Sequence, residues 1–120
     1  YTHMPATSET IVSVTTHPGD STAETVTGDK FKGDGYYGRS DGLHTVQYNV
    51  SGVSGTIKMQ GTLATNPVDA DYFDIAGTTY DSTTAGKDGA FAYNFTGNFV
   101  WVRAVINYTD GTISSIMLNH

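Results

Sequence analysis

From residue 43 to residue 65 the chain alternates apolar and polar side chains with a period of two. Val46, Tyr48 and Val50 share one side of the first stretch, and Thr45, Gln47 and Asn49 the other. Ile57, Met59, Gly61 and Leu63 share one side of the second, opposite Lys58, Gln60 and Thr62. This is the pattern of half-buried strands, with one face on a core and one in water. The segment 51–55, Ser-Gly-Val-Ser-Gly, reads as a hairpin loop between the two strands.

The same reading extends in both directions. Residues 10–15 and 23–27 read as short strands, separated by a turn at His17-Pro18-Gly19-Asp20. Residues 28–42 hold five glycines and form an irregular loop with Tyr36, Tyr37 and Arg39. Asn66-Pro67 ends the alternating pair, residues 72–76 form a short strand, and residues 77–89 form a polar loop. Phe91, Tyr93 and Phe95 share one strand face. Residues 99–107 form a dense apolar run, and Asp110-Gly111 marks a hairpin before a last strand at 112–118. No segment has helical periodicity and no repeat is visible. About seven to eight strands with turns every 8–12 residues imply an all-β, antiparallel β-sandwich or jelly-roll-like fold. Residues 1–8 read as an N-terminal arm and 9–120 as one domain.

Composition narrows the function. There is no cysteine, so neither disulfides nor thiolate zinc contribute. The formal net charge is −6, a field that repels phosphates and argues against nucleic acid as a partner. No apolar run approaches the roughly 20 residues of a membrane helix, and no secretory leader is expected in the first residues.

No catalytic constellation emerges. The four histidines, His3, His17, His44 and His120, lack metal-ligand spacing and read as surface or turn residues. The only glutamates are Glu9 and Glu24. Asp74, between Phe73 and Ile75, is the one acid in an apolar stretch, too little for a paired-carboxylate hydrolase. GxSxG is absent. Asp69, Asp71 and Asp74 are spaced as calcium ligands in a loop, although the glycine and glutamate of an EF-hand loop are missing. No other cofactor is implied.

The sharper candidates are aromatic. In the run 99–107, Val100, Val102, Ala104 and Ile106 fall on one side and Phe99, Trp101 and Arg103 on the other. If the first side is core, the second is an outward aromatic and cationic strip, suited to a subunit interface or to sugar stacking. Tyr36 and Tyr37 add a second candidate edge for a sugar.

Two stretches carry a resemblance. Residues 41–75, DGLHTVQYNVSGVSGTIKMQGTLATNPVDADYFDI, and 95–120, FTGNFVWVRAVINYTDGTISSIMLNH, resemble small virion structural proteins and terminal domains of tailed phages, notably those of marine bacteria and cyanobacteria. The resemblance implies a non-enzymatic β-sandwich in the virion, as a decoration, neck, tail or fibre component. It would be extracellular in the particle, self-associating with a trimer favoured, and docked on other virion proteins. It brings no catalytic residues. The alternative is a carbohydrate-binding β-sandwich module that attaches to a glycan through the same aromatic residues.

Overall fold

The structure, a computed structural model, describes residues 9–19, 22–33, 35 and 43–119. The expected arm at 1–8 and the candidates Tyr36, Tyr37 and Arg39 lie outside the described residues. In chain order the elements are β1 (Glu9–Val12), β2 (Thr15–Thr16), β3 (Glu24–Thr27), β4 (Phe31–Lys32), β5 (Leu43–Thr62), β6 (Phe73–Asp74), β7 (Tyr80–Asp81), α1 (Ser82–Ala85), β8 (Gly89–Thr96) and β9 (Trp101–Asn119). Strands make up 62% of the described residues, and every strand pair among them is antiparallel.

Two long strands organise the rest. β5 and β9 pair along their whole lengths, from Thr45 opposite Asn119 to Thr62 opposite Trp101. The free edge of β9 takes β1, β2, β3 and β4 in turn. The free edge of β5 takes β6, β7 and β8. The result is a ribbon four strands wide, built on strands more than three times the usual length of about 5–6 residues.

Such a ribbon cannot stay flat. A straight strand of 20 residues would span about 65 Å at 3.3 Å per residue, whereas the longest dimension of the molecule is 47 Å. Both long strands bend at one place. The register slips between Ser51 and Gly55 of β5, opposite Asp110 and Thr112 of β9. Gly52 and Gly111 have φ of +65° and +104° there. A Cβ on Gly111 would lie 2.5 Å from the Gly52 carbonyl oxygen and from the Val53 Cα, so the two strands cross at a contact only glycine permits. The bend folds the ribbon over itself into a sandwich. One layer holds residues 43–51 of β5 and 112–119 of β9, with β1 and β8. The other holds 54–62 of β5 and 101–110 of β9, with β3, β4, β6 and β7.

The inner faces meet as the alternation expects. Val46, Tyr48, Ile116 and Leu118 come from the first layer, and Ile57, Met59, Val102, Ala104 and Ile106 from the second, all buried. The layers are also tied by polar groups. The Tyr48 hydroxyl donates to the Thr78 carbonyl at 2.8 Å, and Thr78 Oγ1 accepts the Met59 amide at 3.1 Å. Burial pushes the Tyr48 phenol far above its ordinary pKa, so it stays a neutral donor.

Three expectations need correction. Residues 51–55 and Asp110-Gly111 are not hairpin loops: each lies inside a continuous strand, and the two sites are the facing halves of one corner. Glycine with positive φ serves a bulge as well as a tight turn, and sequence does not separate the two. The polar loop 77–89 contains β7 and the single turn α1, whose second amide, that of Thr83, donates to the capping Asp81 carboxylate at 2.9 Å. His17 and His44 are buried, not superficial. His17 closes its turn by accepting the Gly19 amide at Nδ1, while His44 stacks on Phe95 with ring centroids 4.7 Å apart.

Candidate functional site

With Val102, Ala104 and Ile106 in the core, the alternating partners of the second layer must face outward. The register then sets their neighbours. Trp101 lies opposite Thr62 on β5 and Lys32 on β4, Arg103 opposite Gln60, Gln60 opposite Asp74 on β6, and Lys58 opposite Val105. Four strands thus contribute to one outer face.

Polar side chains on this face are linked in a chain across three strands. Arg103 Nε donates to Gln60 Oε1 at 3.0 Å, and Gln60 Nε2 donates to Asp74 Oδ1 at 2.9 Å. Lys58 Nζ donates to Asp74 Oδ2 at 3.0 Å. Arg103 Nη1 donates to Asp69 Oδ1 at 2.9 Å, and the guanidinium lies over Tyr72, 3.8 Å from the ring centroid. The Arg103 side chain is only 12% exposed against 96% for Asp69, so the guanidinium is held in place while the carboxylate reaches water. The Gln60 amide and the Lys58 ammonium hold the Asp74 carboxyl below the usual carboxylate range. Burial raises the Tyr72 phenol, an effect that Arg103 offsets only in part.

Trp101 stands beside this network. Its indole N–H donates to the Thr65 carbonyl at 2.9 Å, which fixes the ring, and the Lys30 ammonium sits 4.6 Å from the ring centroid. The half-exposed ring, the stacked Tyr72 and the fixed guanidinium and amide planes form one surface. Flat apolar area beside oriented donors and acceptors is what a ring carrying hydroxyl groups needs in a partner.

The structure therefore brings Trp101 and Arg103 together but separates Phe99 from them. Phe99 precedes β9 and packs inward, 5.7 Å from Phe73, 6.2 Å from Phe95 and 6.4 Å from His44. Gly61 leaves room for it: a Cβ there would meet the Phe99 ring at 2.8 Å. Asp69, Asp71 and Asp74, read as calcium ligands, are each engaged elsewhere. Asp69 holds Arg103, Asp71 accepts the Val68 amide at 2.9 Å, and Asp74 holds Gln60 and Lys58. Among the described residues no three His, Cys, Asp or Glu side chains gather as a metal site.

Gln60, Tyr72 and Lys30 were missed from sequence. Gln60 was legible as an outward position of its strand, but its pairing with Arg103 follows from the β5–β9 register, which the expected hairpins obscured. Tyr72 and Lys30 lie beside short elements whose pairing no local pattern announces.

The outer face of the first layer is different in kind. Thr45 bonds Asn94 at 2.7 Å, Gln47 bonds Asn49 at 2.8 Å, and Asn49 bonds Ser115 at 2.8 Å. Ala92 and Ala90 lie across from Gln47 and Asn49. This amide ladder is uncharged and has no ring for stacking.

No protein-family model and no curated protein sequence matches the chain, and nothing among the comparisons indicates a phage origin. Solved structures do match. The chain is similar to the C-terminal carbohydrate-binding module (CBM6) of LamC, a marine laminarinase from Zobellia galactanivorans. The TM-score is 0.52 at 12% identity, covering 94% of this chain and 99% of the other. A family 29 carbohydrate-binding module from Piromyces equi aligns over 98% of this chain and 93% of its own, with a TM-score of 0.47 and 8% identity. Reduced XRCC1, solved bound to the DNA polymerase β catalytic domain, aligns over 81% and 73% with a TM-score of 0.45 and 12% identity. The fold is a β-sandwich, shared with the LamC module.

Proposed function

We propose that this chain is a carbohydrate-binding β-sandwich module, without catalysis of its own, that takes a glycan on the outer face around Trp101 and Arg103. The observation that carries the reading is the surface itself. A ring fixed by its N–H lies beside a guanidinium, an amide and a carboxylate joined by hydrogen bonds across β9, β5 and β6. Planar groups held before the ligand arrives lose little entropy on binding, and their remaining donors and acceptors suit vicinal hydroxyls. The sandwich shared with the LamC module supports the reading at the level of fold, which hosts many functions. The virion role implied by the sequence resemblance has no comparison behind it, and the glycan alternative is the better supported.

The test is calorimetric titration of the protein with a panel of soluble oligosaccharides. At least one should bind, and Trp101→Ala should weaken it about tenfold or more, equivalent to about 1.4 kcal/mol. Circular dichroism should show the variant folded, because the ring lies outside the core. Binding unaffected by the substitution would move the site elsewhere, and silence across the panel would defeat the reading.

A further inference from the structure

Charge on this face is distributed against the trend of the molecule. The chain is acidic overall, with 12 Asp and Glu against 6 Lys and Arg. Yet of the lysines and arginines among the described residues, Lys30, Lys32, Lys58 and Arg103 all lie on the Trp101 face, and only Lys87 lies away from it.

The face is also divided from edge to edge. On the β6 side the acids Asp69 and Asp74 neutralise Arg103 and Lys58, and Asp71 is turned to the Val68 amide. On the β4 side stand Lys30 and Lys32, both exposed, with Asp29 next to Lys30 in the chain. Lys32 is directly opposite Trp101 in register and so shares its face. Lys30 lies over the indole, where a stacking sugar would sit.

That placement discriminates between ligands. A neutral sugar must displace the ammonium from the ring and gains nothing from it. A sugar bearing a carboxylate or sulfate displaces the same ammonium and keeps it as an ion pair, with Lys32 close by as a second cation. Building on the glycan reading above, we infer that the face selects an anionic glycan, whose sugar ring stacks on Trp101 and whose acidic groups meet Lys30 and Lys32.

The experiment titrates the whole chain with four probes: an oligogalacturonate, a sulfated galactan oligosaccharide, a neutral glucan oligosaccharide of equal length, and poly-glutamate. The two anionic glycans separate carboxylate from sulfate recognition. One or both should bind at least tenfold tighter than the neutral glucan, and weaken as salt is raised from 50 to about 300 mM. The double variant Lys30→Gln/Lys32→Gln should lose about tenfold on the anionic glycan, together with most of the salt dependence of that binding. Both positions are exposed, so the fold should persist. Equal or tighter binding of the neutral glucan would overturn the anionic inference and leave the glycan reading standing. Poly-glutamate binding as well as the glycans would overturn it as plain charge attraction. Failure of all four probes would overturn both.

Discussion

Two buried tyrosines should answer opposite questions. Tyr48 donates across the layers to Thr78, so Tyr48→Phe leaves a buried carbonyl short of a partner and should cost about 1–2 kcal/mol. Tyr108 is equally buried, its ring edge-on to His17 at 4.9 Å, but its hydroxyl has no hydrogen-bond partner among the described residues. Tyr108→Phe removes only a desolvated hydroxyl and should leave stability unchanged or raise it by up to about 1 kcal/mol. Urea denaturation of both variants checks the pair, and equal losses would contradict it. At the surface, Asp74 should titrate below the ordinary aspartate value of about 3.9, because Gln60 and Lys58 bond its ionised form. A depressed folded pKa means the stabilisation is present above the unfolded value and fades as pH falls through the folded one. The carboxyl is exposed, so the contribution is small. Carboxyl NMR titration should find the low midpoint, Gln60→Ala and Lys58→Ala should each raise it, and a midpoint at or above 3.9 in the parent would contradict the network.

Among the elements, the corner between β5 and β9 decides the architecture. Gly111 combines a positive φ with backbone contact to Gly52 and Val53, whereas Gly19, also at positive φ, has open space around it. Gly111→Ala should therefore cost about 2 kcal/mol or more, and Gly19→Ala about 1 kcal/mol. Thermal unfolding of the two compares them directly. The corner also marks what the sequence could and could not tell. Alternation placed Val46, Tyr48, Val50, Ile57 and Met59 correctly on the core, because side-chain period does not depend on which strand is the neighbour. It could not say that residues 43–51 and 57–62 pair with opposite halves of β9 and not with each other. Pairing is a long-range choice, and the Gly-containing signals at Gly52 and Gly111 fit a hairpin as well as a bulge. Periodicity put Trp101 and Arg103 on one side of their strand, and the burial of Val102, Ala104 and Ile106 decided that this side faces outward. Phe99 escaped the periodicity by lying two residues before β9, where the chain has not yet adopted strand geometry and its ring turns in over Gly61.

For the molecule as a whole, one sheet folded over itself presents two outer faces of unlike chemistry. The first layer offers an uncharged amide ladder, the second a ring, a hydrogen-bonded polar network and most of the positive charge. On the proposed glycan reading, the choice of ligand falls to such surfaces. The central claim is that the second face is the one used. The most direct measurement is NMR mapping, following backbone amides and the Trp101 indole N–H during titration with the best-binding oligosaccharide from the panel. The account predicts shifts at the Trp101 indole, Arg103, Gln60, Tyr72 and Lys30, with Gln47, Asn49, Asn94 and Ser115 unmoved. Shifts confined to the amide ladder, with the Trp101 indole unchanged, would contradict it.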